Sequence, residues 1–178
     1  MQPIVRLTSA GLVDGVRYIA SPNCDARPTD ALIELIVVHN ISLPPGEFGG
    51  TGIIDLFLNR LSAAAHPYYA GIAQMRVSAH FLIRRDGELL QFVPCAKRAW
   101  HAGKSMWRGR ERCNDFSVGI ELEGTDEIPF EDAQYTRLLA LIAALRVNYP
   151  IAEVTGHSDI APGRKTDPGA AFDWSSVK

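Results

Sequence analysis

The sequence predicts a mixed α/β fold in which helices pack on a central sheet. Three observations carry that expectation. Short β-branched or alternating apolar runs recur at residues 34–40, 75–94 and 116–124. One longer segment, residues 131–147, repeats its apolar positions with a helical period. Strands and helix are interspersed along the chain, the pattern of helices layered on a sheet. The 178 residues suit one domain spanning 1–178, and 47% apolar residues are enough for a sizeable core.

The first thirty residues read as irregular, with Pro22, Asn23, Pro28 and Asp30 as turn signals. ELIVVHN, residues 34–40, is a short β-branched run and predicts a buried central strand ending at His39 and Asn40. Two prolines and four glycines between Pro44 and Gly52 then predict a loop, and a long ordered loop beside a strand end is a common place for a site. Ile53 to Leu61 predicts a short helix, and the stretch around His66, Pro67 and Tyr68 is irregular. Residues 75–94 predict a hairpin turning at Arg85-Asp86-Gly87-Glu88, because Asp-Gly is a strong hairpin turn. Residues 98–115, rich in charge and glycine, predict a second surface loop.

FSVGIELEG, residues 116–124, alternates. Phe116, Val118, Ile120 and Leu122 are expected on one face, and Ser117, Gly119, Glu121 and Glu123 on the other. In the helix predicted over 131–147, Tyr135, Leu138, Leu139, Ile142 and Leu145 share a face. Glu131 and Asp132 suit its first turn, and Pro150 follows its end. The tail, VTGHSDIAPGRKTDPGAAFDW, is rich in turn formers and chemical groups. No internal repeat or low-complexity segment interrupts the pattern.

Composition excludes several classes. A net charge of −2 gives no basis for broad nucleic-acid binding. No run of 18 apolar residues exists, so no membrane span is expected. The segment after Met1 lacks the charged start and apolar stretch of a secretory signal, which predicts a cytoplasmic location. Three cysteines, Cys24, Cys95 and Cys113, form no C-x-x-C pair and are expected to be free thiols.

Five histidines are candidates for chemistry: His39, His66, His80, His101 and His157. Context raises two of them. His39 ends a hydrophobic strand. His157 opens H-S-D-I-A-P-G-R-K-T-D-P-G, in which Asp167 follows ten residues later. Two imidazoles and one carboxylate form a known catalytic zinc set. Such a zinc activates water and polarises a carbonyl. Glu121 is a candidate general base, with Gly119 beside it leaving room, yet the pattern alone makes Glu123 its equal. Lys165 lies two residues before Asp167 and, in an extended segment, points the same way. A cation there would stabilise an oxyanion.

The stretches VVHNISLPPGEFGG, AHPYYAGIAQMRVSAHFLIRRDGELLQFVP, RAWHAGKSMWRGRERCNDFSVGIELEGTD and GHSDIAPGRKTDPG together resemble the N-acetylmuramoyl-L-alanine amidase type 2 family, over residues 37–169. The likeness is strongest to the cytoplasmic members that act on 1,6-anhydro-muropeptides in peptidoglycan recycling. The resemblance implies a central mixed β-sheet flanked by helices, as in peptidoglycan recognition proteins. It implies Zn2+ held by His39, His157 and Asp167, with Glu121 rather than Glu123 as catalytic glutamate and Lys165 as transition-state stabiliser. It implies substrate contacts from Asn40, Tyr68, Arg76 and Arg112. The implied partner is an anhydro-muropeptide, with no nucleic acid and no membrane, and the enzyme is expected to be a monomer. His80 and His101 are expected to hydrogen-bond within the sheet or loops. Gly163 departs from the family pattern, where relatives carry a glutamate, and bears on loop stiffness or a local ion pair. The rival readings are a peptidoglycan-binding domain without catalysis and an amidase acting on intact wall.

Overall fold

The computed structural model describes residues 5–177. In chain order its elements are β1 (Arg17–Tyr18), β2 (Cys24–Ala26), β3 (Leu35–Ile41), α1 (Gly52–Phe57), β4 (Phe81–Ile83), β5 (Leu89–Gln91), β6 (Lys97–Ala99), β7 (Met106–Trp107), β8 (Arg110–Glu111), β9 (Ser117–Glu123), α2 (Asp132–Asn148), β10 (Glu153–Gly156) and α3 (His157–Ile160). Six strands form the central sheet in the order β1-β5-β4-β9-β3-β10. All neighbours run parallel except the β4–β5 hairpin, so the sheet is mixed, as expected. Two small antiparallel pairs, β2–β6 and β7–β8, lie outside it.

The strand period of two sorts β3. Ile36 and Val38 pack with Val118, Ile120 and Leu122 of β9 against Leu138, Leu141, Ile142 and Leu145 of α2. Burying each of these large side chains contributes about 1.5–3 kcal/mol. Leu35 and Val37 face the other way, with Cys113, Phe116 and Ile160. His39 continues that second face, two residues beyond Val37. Gln134 fastens α2 to the sheet: its Oε1 accepts from Glu131 N at the helix start, and its Nε2 donates to the carbonyls of Ile83 and Glu123.

Several expectations shift. Phe116 packs with Leu35 and Val37, opposite to Val118, because it closes a 3-10 turn (Cys113–Asp115) before the extended run begins. Ser117, Gly119, Glu121 and Glu123, the polar side of β9, are as buried as its apolar side, since all seven residues of the strand are buried. The hairpin has strands of three residues each, and the positive φ of Asn59 lies just past the end of α1, short of Leu61. β1, β2 and β6 arise in segments read as irregular or as loop. Among the described residues, no helix is long and apolar enough to cross a membrane.

Candidate metal centre and active site

Adjacent strands deliver the two histidines. β10 pairs in parallel with β3, Gly156 opposite Val38, so His157 emerges beside His39 at the same sheet edge. Asp159 holds that corner, its Oδ2 accepting from Thr155 Oγ1 and Gly156 N. Asp167 arrives from the following loop, which two bonds pin down. Ser158 N donates to the Asp167 carbonyl at 2.9 Å, and Asn40 Nδ2 donates to the Pro168 carbonyl at 3.0 Å. Next along, Gly169 sits at φ +85°, where a Cβ would lie 2.2 Å from Asp126 Cα, so only glycine lets the loop close here.

Three donor atoms converge. His39 Nδ1 and His157 Nδ1 are 3.0 Å apart, and Asp167 Oδ2 lies 2.9 Å from the first and 3.0 Å from the second. A tetrahedron with metal–ligand bonds of about 2.0–2.1 Å has edges of about 3.3 Å. Two buried ring nitrogens turned at each other beside a carboxylate therefore fit a divalent cation. Burial pushes the His39 imidazole down to about 4, against the opposing pull of Asp167, which favours the neutral, metal-ligating form. Burial alone would raise the Asp167 carboxyl; its bonds with His157 and His39 outweigh that and hold it below the usual carboxylate range.

In the parallel β3–β9 pair, His39 stands opposite Glu121. Glu121 is 9% exposed, and its Oε2 has no hydrogen-bond partner among the described residues. Burial, then the charge of Asp167, pushes its carboxyl well above the ordinary range, with Lys165 pulling the other way. Glu123, two residues on, is fully engaged: Oε1 accepts from Arg84 Nη1 and Gly49 N at 2.8 Å each, and Oε2 from Arg85 N at 3.3 Å. The two glutamates that are equal in the sequence pattern are thus unequal in the fold. One is spent on structure and the other is free to react.

A cleft of about 410 Å³ opens over this centre. His39, His157, Asp167, Glu121 and Lys165 lie in its lining, with Leu56, Phe57, Ile72 and Met75 as an apolar wall. Tyr68 stands exposed at the same cleft. Asn40 lines it too, but its amide hydrogens are held by Asp126 Oδ1 and the Pro168 carbonyl. Arg76 and Arg112 fall outside this lining. Arg76 is exposed and bonds the carbonyls of Gln74 and Met75. Arg112 pairs with Asp115 at 3.3 Å and borders a separate groove with Lys104, Met106 and Arg164. Gly163 sits at φ +74° facing open space, away from the ligands.

The ligands are backed by a further layer. His39 Nε2 is 2.9 Å from His101 Nδ1, and His157 Nε2 is 3.1 Å from the Ala102 carbonyl. His80 is fully buried and accepts from Gly119 N, with Nε2 against the Lys97 carbonyl; burial, then the Arg27 charge, pushes it down to about 3. Sheet and loop bonding for His80 and His101 thus match expectation. Trp100, Asp126 and Arg164, at or beside the cleft, carry no signal in residue type or spacing that would have singled them out.

The chain belongs to the N-acetylmuramoyl-L-alanine amidase family, whose model matches residues 28–170. It is 60% identical over 174 residues to the 1,6-anhydro-N-acetylmuramyl-L-alanine amidase AmpD of Escherichia coli K12, covering 97% of this chain and 95% of that one. A crystal structure of a Se-Met AmpD derivative superposes with a TM-score of 0.94 at 59% identity, covering 96% of this chain and 97% of the other. AmiD from E. coli, solved in complex with the substrate anhydro-N-acetylmuramic acid-L-Ala-D-gamma-Glu-L-Lys, matches with a TM-score of 0.60 at 30% identity. That match covers 97% of this chain and 64% of AmiD.

Proposed function

We propose that this chain, as one amidase domain over residues 1–178, hydrolyses the amide between the lactyl group of 1,6-anhydro-N-acetylmuramic acid and L-alanine. It acts as a zinc-dependent monomer in cytoplasmic peptidoglycan recycling. The observation that carries the reading is the meeting of His39, His157 and Asp167 beside the unpartnered buried carboxylate of Glu121. The names of the relatives it matches support the anhydro-muropeptide as substrate.

His39, His157 and Asp167 would hold the zinc ion, their facing donor atoms being Nδ1, Nδ1 and Oδ2. When bound, zinc supplies Lewis acidity, making water a nucleophile near neutral pH and polarising the carbonyl. Glu121 moves the protons. Its raised carboxyl pKa suits a group that must take a proton from attacking water and return it to the departing amine. Lys165, on the cleft lining, stabilises negative charge as it develops on the lactyl carbonyl oxygen. Tyr68 and the apolar wall orient the sugar, and Asn40 steadies the cleft through Asp126. Arg76 and Arg112, outside the lining, meet carboxylates farther along the stem peptide.

Mass spectrometry after incubation with anhydro-muropeptide or intact sacculi, alongside zinc analysis, tests the reading. Free anhydro-muramic acid from the soluble substrate, with intact wall untouched, is expected. Release from sacculi alone would overturn the substrate, and full activity in zinc-free protein would overturn the cofactor.

A further inference from the structure

Two consecutive residues stand behind the two histidine ligands. His39 turns Nδ1 toward Asp167 and presents Nε2 to His101 Nδ1 at 2.9 Å. His157 repeats the arrangement, with Nδ1 toward Asp167 and Nε2 3.1 Å from the Ala102 carbonyl. A carbonyl only accepts, and Arg164 Nη2, 3.4 Å from the same nitrogen, already directs its two hydrogens at the Ala102 and Lys104 carbonyls, so the contact is satisfied with the His157 proton on Nε2 and the Nδ1 lone pair free. His39 needs the same service but has an imidazole behind it. A neutral imidazole offers one donor and one acceptor. The other nitrogen of His101, Nε2, lies 3.1 Å from Ser117 Oγ, a hydroxyl able to accept.

The geometry points to His101 as a positioning residue of the metal centre: its Nδ1 accepts the His39 Nε2 proton and so fixes His39 in the tautomer that ligates through Nδ1. This rests on the reading of His39, His157 and Asp167 as a zinc site. His101 thereby does with a side chain what Ala102 does with its carbonyl. Their loop is built to stay put. Asn114 Oδ1 accepts from both backbone N–H groups, at 3.1 Å from His101 and 2.8 Å from Ala102. Arg164 Nη2 donates to the carbonyls of Ala102 and Lys104 at 2.7 Å each. β9 supplies the seat for the ring: at Gly119 a Cβ would lie 2.4 Å from His101 Cγ, so any side chain there would displace it.

Three measurements test the role. Zinc affinity is measured by chelator competition in wild type, His101→Ala and His101→Asn, the asparagine placing its Oδ1 near the lost Nδ1. Loss of an outer-shell partner lowers metal affinity about 10–100-fold, so that loss is expected for alanine and most of it is recovered by asparagine. Nitrogen-15 NMR of zinc-loaded wild type, which needs no variant to fold, should show His101 protonated on Nε2 and bare on Nδ1. Unchanged affinity in a folded alanine variant, equal loss in both variants, or a proton on His101 Nδ1 overturns the inference. Zinc stoichiometry separates the two readings. Wild type that takes up no zinc overturns the metal site and this role with it. Wild type that binds zinc while His101→Ala binds it equally well overturns the positioning role alone.

Discussion

Replacing Glu121 by Gln and Glu123 by Ala is expected to separate catalysis from stability. Glu121 Oε2 is buried without a hydrogen-bond partner among the described residues, and burial together with the Asp167 charge disfavours its ionised form more than Lys165 favours it. An isosteric amide removes the cost of burying that charge, and metal-free Glu121→Gln should melt at or above the wild-type temperature. Turnover should fall by about 10²–10⁴, the usual contribution of general acid–base catalysis, or about 2.7–5.5 kcal/mol in the barrier. Zinc content should stay at the wild-type level. Glu123 predicts the reverse. It pairs with Arg84 at 2.8 Å, with side chains only 2% and 10% exposed, and also accepts from Gly49 N. Removing one member of such a buried pair costs about 3–5 kcal/mol. In a chain of this length each kcal/mol moves the melting temperature by about 2–4 °C, so a drop of about 6–20 °C is expected. Below its melting temperature, Glu123→Ala should keep a kcat near wild type. The assays are thermal unfolding after chelation and release of anhydro-muramic acid under saturating substrate. Glu121→Gln with more than about a tenth of wild-type kcat would refute the assignment, as would folded Glu123→Ala with an equal loss.

Chelation should abolish turnover and added zinc should restore it, while Asp167→Ala should lower bound zinc on elemental analysis; undiminished metal in that variant would remove Asp167 from the ligand set. Gly169→Ala forces a side chain into φ +85° and onto Asp126, and is expected to cost more than about 2 kcal/mol in denaturant unfolding. An unshifted midpoint would show that the loop moves aside freely. Cys95 and Cys113 are buried and Cys24 only partly so. Burial pushes the Cys95 thiol up to about 12, leaving about one thiolate in ten thousand at pH 8, and raises Cys113 too. One fast-reacting thiol is expected in the native protein and three in denaturant. A second fast native thiol would contradict this burial.

Elements with local signals were legible and those with distant causes were not. β3 announces itself through four β-branched or leucine positions buried on both faces, and α2 through the spacing of Leu138, Ile142 and Leu145. β1 has only Arg17 and Tyr18, both exposed, and exists because β5 offers it a parallel edge. Nothing in two exposed residues encodes that partner. β2 and β6 likewise pair across most of the N-terminal half without an alternating apolar pattern. Phe116 misled because period two describes extended backbone only, and a 3-10 turn ends at that residue. In the site, the ligand types and the tail motif were visible in sequence. The distinction between Glu121 and Glu123 was not, because it depends on Arg84 reaching one carboxylate and no hydrogen-bond donor among the described residues reaching Oε2 of the other.

The convergence itself has a topological cause. His39 and His157 are 118 residues apart in sequence, and Asp167 is 128 from His39. Parallel neighbours require long crossovers, so no local pattern links them. Once β9, β3 and β10 lie side by side and parallel, their carboxyl ends share one edge of the sheet. His39 sits near the end of β3, Glu121 near the end of β9, and His157 directly after β10. Ligands of open α/β sheets bind at that edge because chain leaves the strands there and is free to form loops. Here the loops supply the rest: Asp167 and Lys165 from the segment after α3, and His101 and Ala102 from the segment after β6. The rigid strands thus set the spacing between ligand and base, and the loops complete the coordination. A slip of one residue in the β3–β9 register would turn Glu121 toward α2 and leave His39 without its neighbour.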